Sequence, residues 1–148
     1  MPKTRVVSMR MEEGQEERLE KMARRLGRSP SDISALLVEE GLRRSEFAFM
    51  DFRDTPVGRQ AFIQGTRLPV WMAVKIARLY GHDVEKTAEH LARPPLQIRA
   101  ALNYAAAFPD EIEDAIRDNA SYDFTKLSNL LPQAELFVAG DADGKGRK

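Results

Sequence analysis

Ser8 and Arg10 lie two residues apart near the start of the chain, in a stretch where the side chains alternate in polarity. An arginine can donate two hydrogen bonds to a guanine in the major groove, and a serine can bond either kind of base group. Val6 shares their face of the chain. These residue types at this spacing predict a surface that reads base edges in DNA. The alternative is that they are ordinary solvent-facing residues of a strand.

The element that positions these side chains is predicted to be a strand over residues 4–11. Its other face carries Val7, Met9 and Met11, and alternation with a period of two indicates a strand with one buried face. A lone strand has no pairing partner within so short a module. We therefore expect two copies of the chain to pair antiparallel, because a two-stranded ribbon fits the major groove of B-DNA.

Two helices are predicted after the strand. Apolar residues recur three and four positions apart over residues 15–26, and Gly27 follows as the end signal. Ser29 has the side chain preferred at an N-cap, and Asp32 completes a capping-box pattern. The second helix is therefore expected over residues 30–44.

This order of elements resembles the ribbon-helix-helix repressors of the Arc, MetJ and CopG type, through the strings TRVVSMRM, ERLEKMARRLG and RSPSDISALLVEEGL. The resemblance covers residues 4–44. It implies that Ser29 and Ser31, with the free amides of the second helix, hold a DNA phosphate, as helix N-termini favour anions. Val6 departs from the family, which usually has a polar residue there, and would contact a thymine methyl group or nothing.

Residues 46–118 are expected to form a small helix-turn-helix-like domain. Residues 47–52 are too apolar for a free linker, and a short β-hairpin is predicted around Gly65 from 61–63 to 66–68. Three helices should follow: residues 70–80, residues 84–91, and a longer helix that begins after Pro95 and continues past Pro109. Arg93, Gln97 and Arg99 could form a second nucleic-acid surface, although exposed charges on a helix usually only solvate it.

This middle region resembles an uncharacterised domain found in VapB-type antitoxins. The resemblance covers residues 47–118, and its most distinctive string is IQGTRLP, with GHDVEKTAEHL and IRAALNYA after it. Such antitoxins typically accompany a toxin with a PIN-like nuclease fold. The resemblance therefore implies a toxin-antitoxin role and a cognate ribonuclease as partner.

The end of the chain, residues 119–148, is expected to be a toxin-binding arm with a flexible polar tail. A short apolar set in it would lie in a groove on the toxin and fold on binding: Phe124, Leu127, Leu130 and Leu131. A last helix packed on its own domain is the alternative for this segment.

Composition limits the remaining classes. The 148 residues include 23 basic and 23 acidic ones, so a DNA contact must come from a local basic surface. The chain has no cysteine and no apolar stretch long enough to cross a bilayer, which favours the cytoplasm. His82 and His90 lack the spacing of metal ligands, and no phosphate-binding glycine loop is present. We expect no enzyme activity, catalytic residue, metal or cofactor.

The sequence thus predicts a mainly α protein in three parts: a ribbon-helix-helix module for DNA binding and dimerisation in residues 1–45, a helix-turn-helix-like three-helix domain with a short β-hairpin in 46–118, and an arm in 119–148. The predicted function is that of a type II antitoxin that represses its own operon as a homodimer and neutralises a PIN-like toxin. A stand-alone transcriptional repressor is the main alternative. A pure interaction protein whose ribbon never meets DNA is another.

Overall fold

A computed structural model describes residues 4–120 of the chain. Within them, the mainly α prediction is confirmed: six helices accompany one two-stranded antiparallel sheet. In chain order the elements are α1 (Glu13–Leu26), α2 (Pro30–Glu46), β1 (Met50–Thr55), β2 (Gly58–Ile63), α3 (Val70–Leu79), α4 (Val84–Leu91), α5 (Pro95–Ala107) and α6 (Pro109–Ala120). The predicted arm residues Phe124, Leu127, Leu130 and Leu131 lie outside the described part.

The end of α1 and the start of α2 form where the sequence predicts them, whereas α2 continues to Glu46. Gly27 adopts the left-handed conformation, with φ of 64°, and ends α1. The Ser29 hydroxyl accepts a hydrogen bond from the Asp32 amide at 3.1 Å and caps α2. α1 begins earlier than expected, because the side chains of Glu12 and Gln15 form a reciprocal capping box there.

The hairpin differs from the prediction in its strands. Residues 61–63 belong to β2 and pair with β1, so that Met50 lies opposite Ile63. This pairing buries both of those side chains, whereas the expected pairing of 61–63 with 66–68 reduces to one bridge between Phe62 and Pro69. The predicted hairpin was therefore wrong about its strands, although the chain does turn at Gly65, with φ of 74°.

Four helices follow the hairpin, where three were predicted. α4 has the predicted bounds, but the expected long last helix divides at Phe108 into α5 and α6. Pro109 explains the break, since proline lacks an amide hydrogen and its ring clashes with the preceding helical turn. None of the helices within residues 4–120 has the length and apolar character needed to cross a membrane.

The hydrophobic core lies between the hairpin and the last four helices. α3 is central to it and contacts α4, α5, α6 and β2. The buried side chains of this cluster include Met50, Phe52, Ile63, Val70, Ile98 and Tyr104. In α1 and α2 the buried apolar residues are only Ala23 and Ile33. Most of the apolar surface of the first two helices therefore lies outside this core.

Candidate nucleic-acid interface

Residues 4–12 form neither a helix nor a strand with the rest of their own chain. Their apolar side chains face solvent: the exposed fraction is 92% for Val6, 86% for Val7, 59% for Met9 and 39% for Met11. A strand that pairs between two copies cannot form in a single chain. The predicted ribbon therefore stays a prediction, and the segment carries apolar side chains that the single chain does not bury.

An open groove of about 790 Å³ lies between this segment and α1. Its apolar lining comes from the segment, from α1 and from α2, through Met9, Met11, Leu19, Met22 and Leu37. Its charged lining residues are all basic: Arg10, Arg18, Lys21 and Arg25. The lining of the groove thus combines apolar and basic side chains.

The sequence-predicted contact residues occupy two places. Val6, Ser8 and Arg10 are exposed on the segment, and Arg10 also lines the groove. Ser29 and Ser31 are exposed at the start of α2. The Ser29 oxygen accepts the Asp32 amide, so its hydroxyl hydrogen can still be donated to an anion. Both places can supply hydrogen-bond donors to DNA.

α2 presents a second apolar surface to solvent. Leu37, Val38 and Leu42 are 37%, 55% and 52% exposed, although leucine and valine are usually buried. Leu37 also lines the groove, so the two apolar surfaces are continuous. Contiguous exposed apolar surface of this kind marks a site of protein contact.

The opposite face of α2 is held to the hairpin by a buried ion pair. The Arg59 guanidinium donates to both carboxylate oxygens of Glu40, at 2.6 to 3.1 Å, and the Glu40 side chain is only 3% exposed. Asp54 accepts from Arg59 at 3.0 Å and from Arg25 of α1 at 3.3 Å. The hydrogen bonds to Glu40 raise the pKa of Arg59 although burial opposes this. Both helices are thereby tied to the hairpin.

A second network holds α2 to the last two helices. Arg43 donates to the Tyr104 hydroxyl at 2.6 Å and to Glu111 at 2.7 Å, and Tyr104 donates to the other Glu111 oxygen at 2.6 Å. The Arg43 guanidinium also lies 3.8 Å from the centre of the Phe108 ring. Burial, and then the bond to Glu111, raises the pKa of Tyr104. α2 is therefore anchored to α5 and α6 by a shared cluster of hydrogen bonds.

These two networks were not predicted from the sequence. Glu40 and Arg43 follow the buried Ile33 by seven and ten residues, which places all three on one face of α2. Charged residues on a buried helix face need partners of opposite charge. This spacing was the available signal, but the partners Arg59 and Glu111 are distant in sequence and could not be paired from it.

Comparison of the chain with protein-family models, curated proteins and solved structures gave no match. Among the residues that the structure describes, no three histidine or carboxylate side chains lie together as a metal site would require. His90 lies against Tyr80, with 2.8 Å between its Nδ1 atom and the tyrosine hydroxyl. The candidate functional surface therefore consists of residues 4–12, the groove and α2.

Proposed function

We propose that the chain binds DNA as a homodimer, through a ribbon-helix-helix module in residues 1–45. The observation that carries this proposal is the apolar side of residues 4–12, exposed beside an open apolar groove. A second copy would cover both surfaces, because its own segment would pair with the first in an antiparallel ribbon. Leu37, Val38 and Leu42 would then pack between the two copies.

The DNA contacts of such a dimer divide into two kinds. Arg10 and Ser8 would read base edges from the open side of the ribbon, with Val6 against a thymine methyl group. Ser29 and Ser31, with the amides at the start of α2, would hold a phosphate. The basic residues that line the groove would supply a local positive charge, although the chain as a whole is neutral.

We further propose that the protein is a type II antitoxin in the cytoplasm. This rests on the resemblance of residues 47–118 to a domain of VapB-type antitoxins. Operator occupancy would repress the protein's own operon, and the arm with Phe124, Leu127, Leu130 and Leu131 would block a PIN-like ribonuclease toxin. Both actions are steric, so neither needs a catalytic residue or a cofactor.

Replacement of Arg10 tests the DNA contact. In the full chain, Arg10→Ala should weaken binding to the DNA upstream of its own gene by about 1–3 kcal/mol, the value of one bidentate base contact. Sedimentation should show an unchanged dimer. Arg117→Ala removes an exposed arginine from α6 and serves as the control. Equal affinities of the two variants would rule out the role of Arg10.

Co-purification tests the antitoxin role. The full chain, expressed with the neighbouring small open reading frame, should capture that frame's product, and deletion of residues 121–148 should abolish capture while the dimer persists. Capture by the shortened chain would place the partner surface elsewhere. Operator binding without any captured product would favour the stand-alone repressor.

A further inference from the structure

α4 and α5 are joined by a tight turn of three residues, 92–94. Ala92 takes the left-handed conformation, with φ of 51° and ψ of 48°. The turn is closed by hydrogen bonds from the Ala92 amide to Glu89 at 3.2 Å and from the Arg93 amide to Ala88 at 2.9 Å. Both helices pack against each other and against α3. Two packed helices joined by so short a turn have the connectivity of a helix-turn-helix, a motif whose second helix enters the major groove.

One face of α5 is exposed along its whole length. Its opposite face is buried in the core through Ile98, Ala101 and Tyr104. The exposed residues recur three and four positions apart: Leu96, Arg99, Asn103 and Ala106. Gln97, which the sequence could place on the same surface, is half-buried instead. Leu96 is 67% exposed, so this stripe is open to a partner.

The polar groups of this face are available for binding. Among residues 4–120, the side chains of Arg93, Arg99 and Asn103 make no hydrogen bond or ion pair. Their residue types match the pairings of the major groove, where arginine binds guanine and asparagine binds adenine in bidentate fashion. Short or apolar neighbours such as Ala106 and Leu96 allow close approach to thymine methyl groups.

Charge separates this face from the rest of the domain. No acidic residue occurs between Glu89 and Asp110, a stretch that includes all of α5. α4 carries both signs of charge, whereas α6 has five acidic residues against one arginine: Asp110, Glu111, Glu113, Asp114 and Asp118 against Arg117. A polyanion would therefore meet attraction at α5 and repulsion at α6.

We propose that α5 is a second DNA-reading element, which lies in the major groove of duplex DNA. Arg99 and Asn103 contact base edges, and Arg93, at the turn, contacts a phosphate. Each chain then contacts DNA twice, once through residues 4–12 and once through α5. The contact of α5 does not require the ribbon, so the two proposals can fail separately.

The test uses the full chain and two fluorescently labelled duplexes, one from upstream of its own gene and one of scrambled sequence. Arg99→Ala and Asn103→Ala should each weaken binding to the upstream duplex by roughly 5- to 150-fold, and should affect the scrambled duplex less. Arg93→Ala should weaken both duplexes alike and lower the log–log salt slope by about 0.9. The stretch of the upstream duplex that Arg99→Ala protects from nuclease should be shorter than the stretch that the wild-type chain protects.

Arg117→Ala is the matched control, and thermal melting checks that each variant is folded. The inference is overturned if the α5 variants bind the upstream duplex with the same affinity as Arg117→Ala. If only Arg10→Ala loses affinity for that duplex, the ribbon alone is supported. Losses in Arg99→Ala with none in Arg10→Ala support α5 and overturn the ribbon. Failure of the wild-type chain to bind either duplex at low salt overturns both. If an α5 variant loses binding to a purified protein partner while its affinity for DNA is unchanged, the exposed face of α5 binds that partner and the inference is overturned.

Discussion

The hairpin with α3–α6 and the N-terminal helices α1 and α2 use their apolar residues in opposite ways. In the first region Ile98, Ala101 and Tyr104 are fully buried by the chain itself. In the second, Val38 and Leu42 remain about half exposed. Apolar content alone therefore does not tell where burial occurs. The first region buries a core within one chain, while the second leaves apolar surface exposed, which the proposed dimer would cover.

The largest effect is expected on the free energy of unfolding, and its dependence on protein concentration should differ between the two regions. Ile98→Ala leaves a cavity in the closed core and should lower the free energy of unfolding by about 3–4 kcal/mol. Denaturant titrations should show this loss at every protein concentration. Leu42→Ala, on the exposed face of α2, should instead cost stability only at concentrations where the dimer forms.

The comparison would break if Leu42→Ala destabilised the dilute monomer as much as Ile98→Ala does. In that case Leu42 would have a packing role within one chain that the 52% exposure of its side chain does not suggest. Sedimentation of each variant, at the same concentrations as the titrations, separates unfolding from dissociation.

A smaller effect is expected at the joint between the regions. Glu40→Ala leaves the guanidinium of Arg59 without its main partner and should cost roughly 2–3 kcal/mol, because Asp54 still pairs with Arg59. Glu39→Ala, its exposed neighbour, removes only an i,i+4 pair with Arg43 and should cost less than about 0.5 kcal/mol. Equal losses, measured by chemical denaturation, would mean that the joint does not depend on Glu40.

The smallest effect, and the only gain, is expected at the turn before α5. Ala92→Gly relieves a left-handed alanine and should raise the free energy of unfolding by at most about 1 kcal/mol, since glycine also gains freedom in the unfolded chain. Ala106→Gly, in the last turn of α5, where the backbone is right-handed, should instead lose up to about 1 kcal/mol. A loss in both variants would show that the turn is not strained at Ala92.

Local features of the fold were predictable from the sequence, and long-range ones were not. The Ser29 cap, the Gly27 end of α1 and the bounds of α4 follow from residues within a few positions of each other. The pairing of β1 with β2 does not, because Ile63 could pair on either side until Met50 is placed opposite it. The pairing of Arg59 with Glu40 could not be predicted for the same reason, because the two residues are distant in the sequence.

The candidate interface divides in a similar way. Alternation among neighbouring residues predicts the face of Ser8 and Arg10, and this face stays a prediction because residues 4–12 form no strand within one chain. The α5 stripe was not predicted as the structure has it. The sequence grouped Gln97 with Arg93 and Arg99, but Gln97 lies four and seven residues before the buried Ala101 and Tyr104 and is half-buried, while Asn103 is exposed.

α2 runs without a break from the cap at Ser29 to the clusters around Glu40 and Arg43, about 20 Å away, so these two ends move together as one rigid element. Its far end is fixed to the hairpin and α6, and its near end is where the proposed phosphate would sit. A tilt of about 5° at the anchored end moves the near end by about 2 Å, more than a hydrogen bond tolerates. In the proposed dimer, a protein that binds residues 46–118 and tilts α2 would thus lower the affinity for DNA without contacting the DNA.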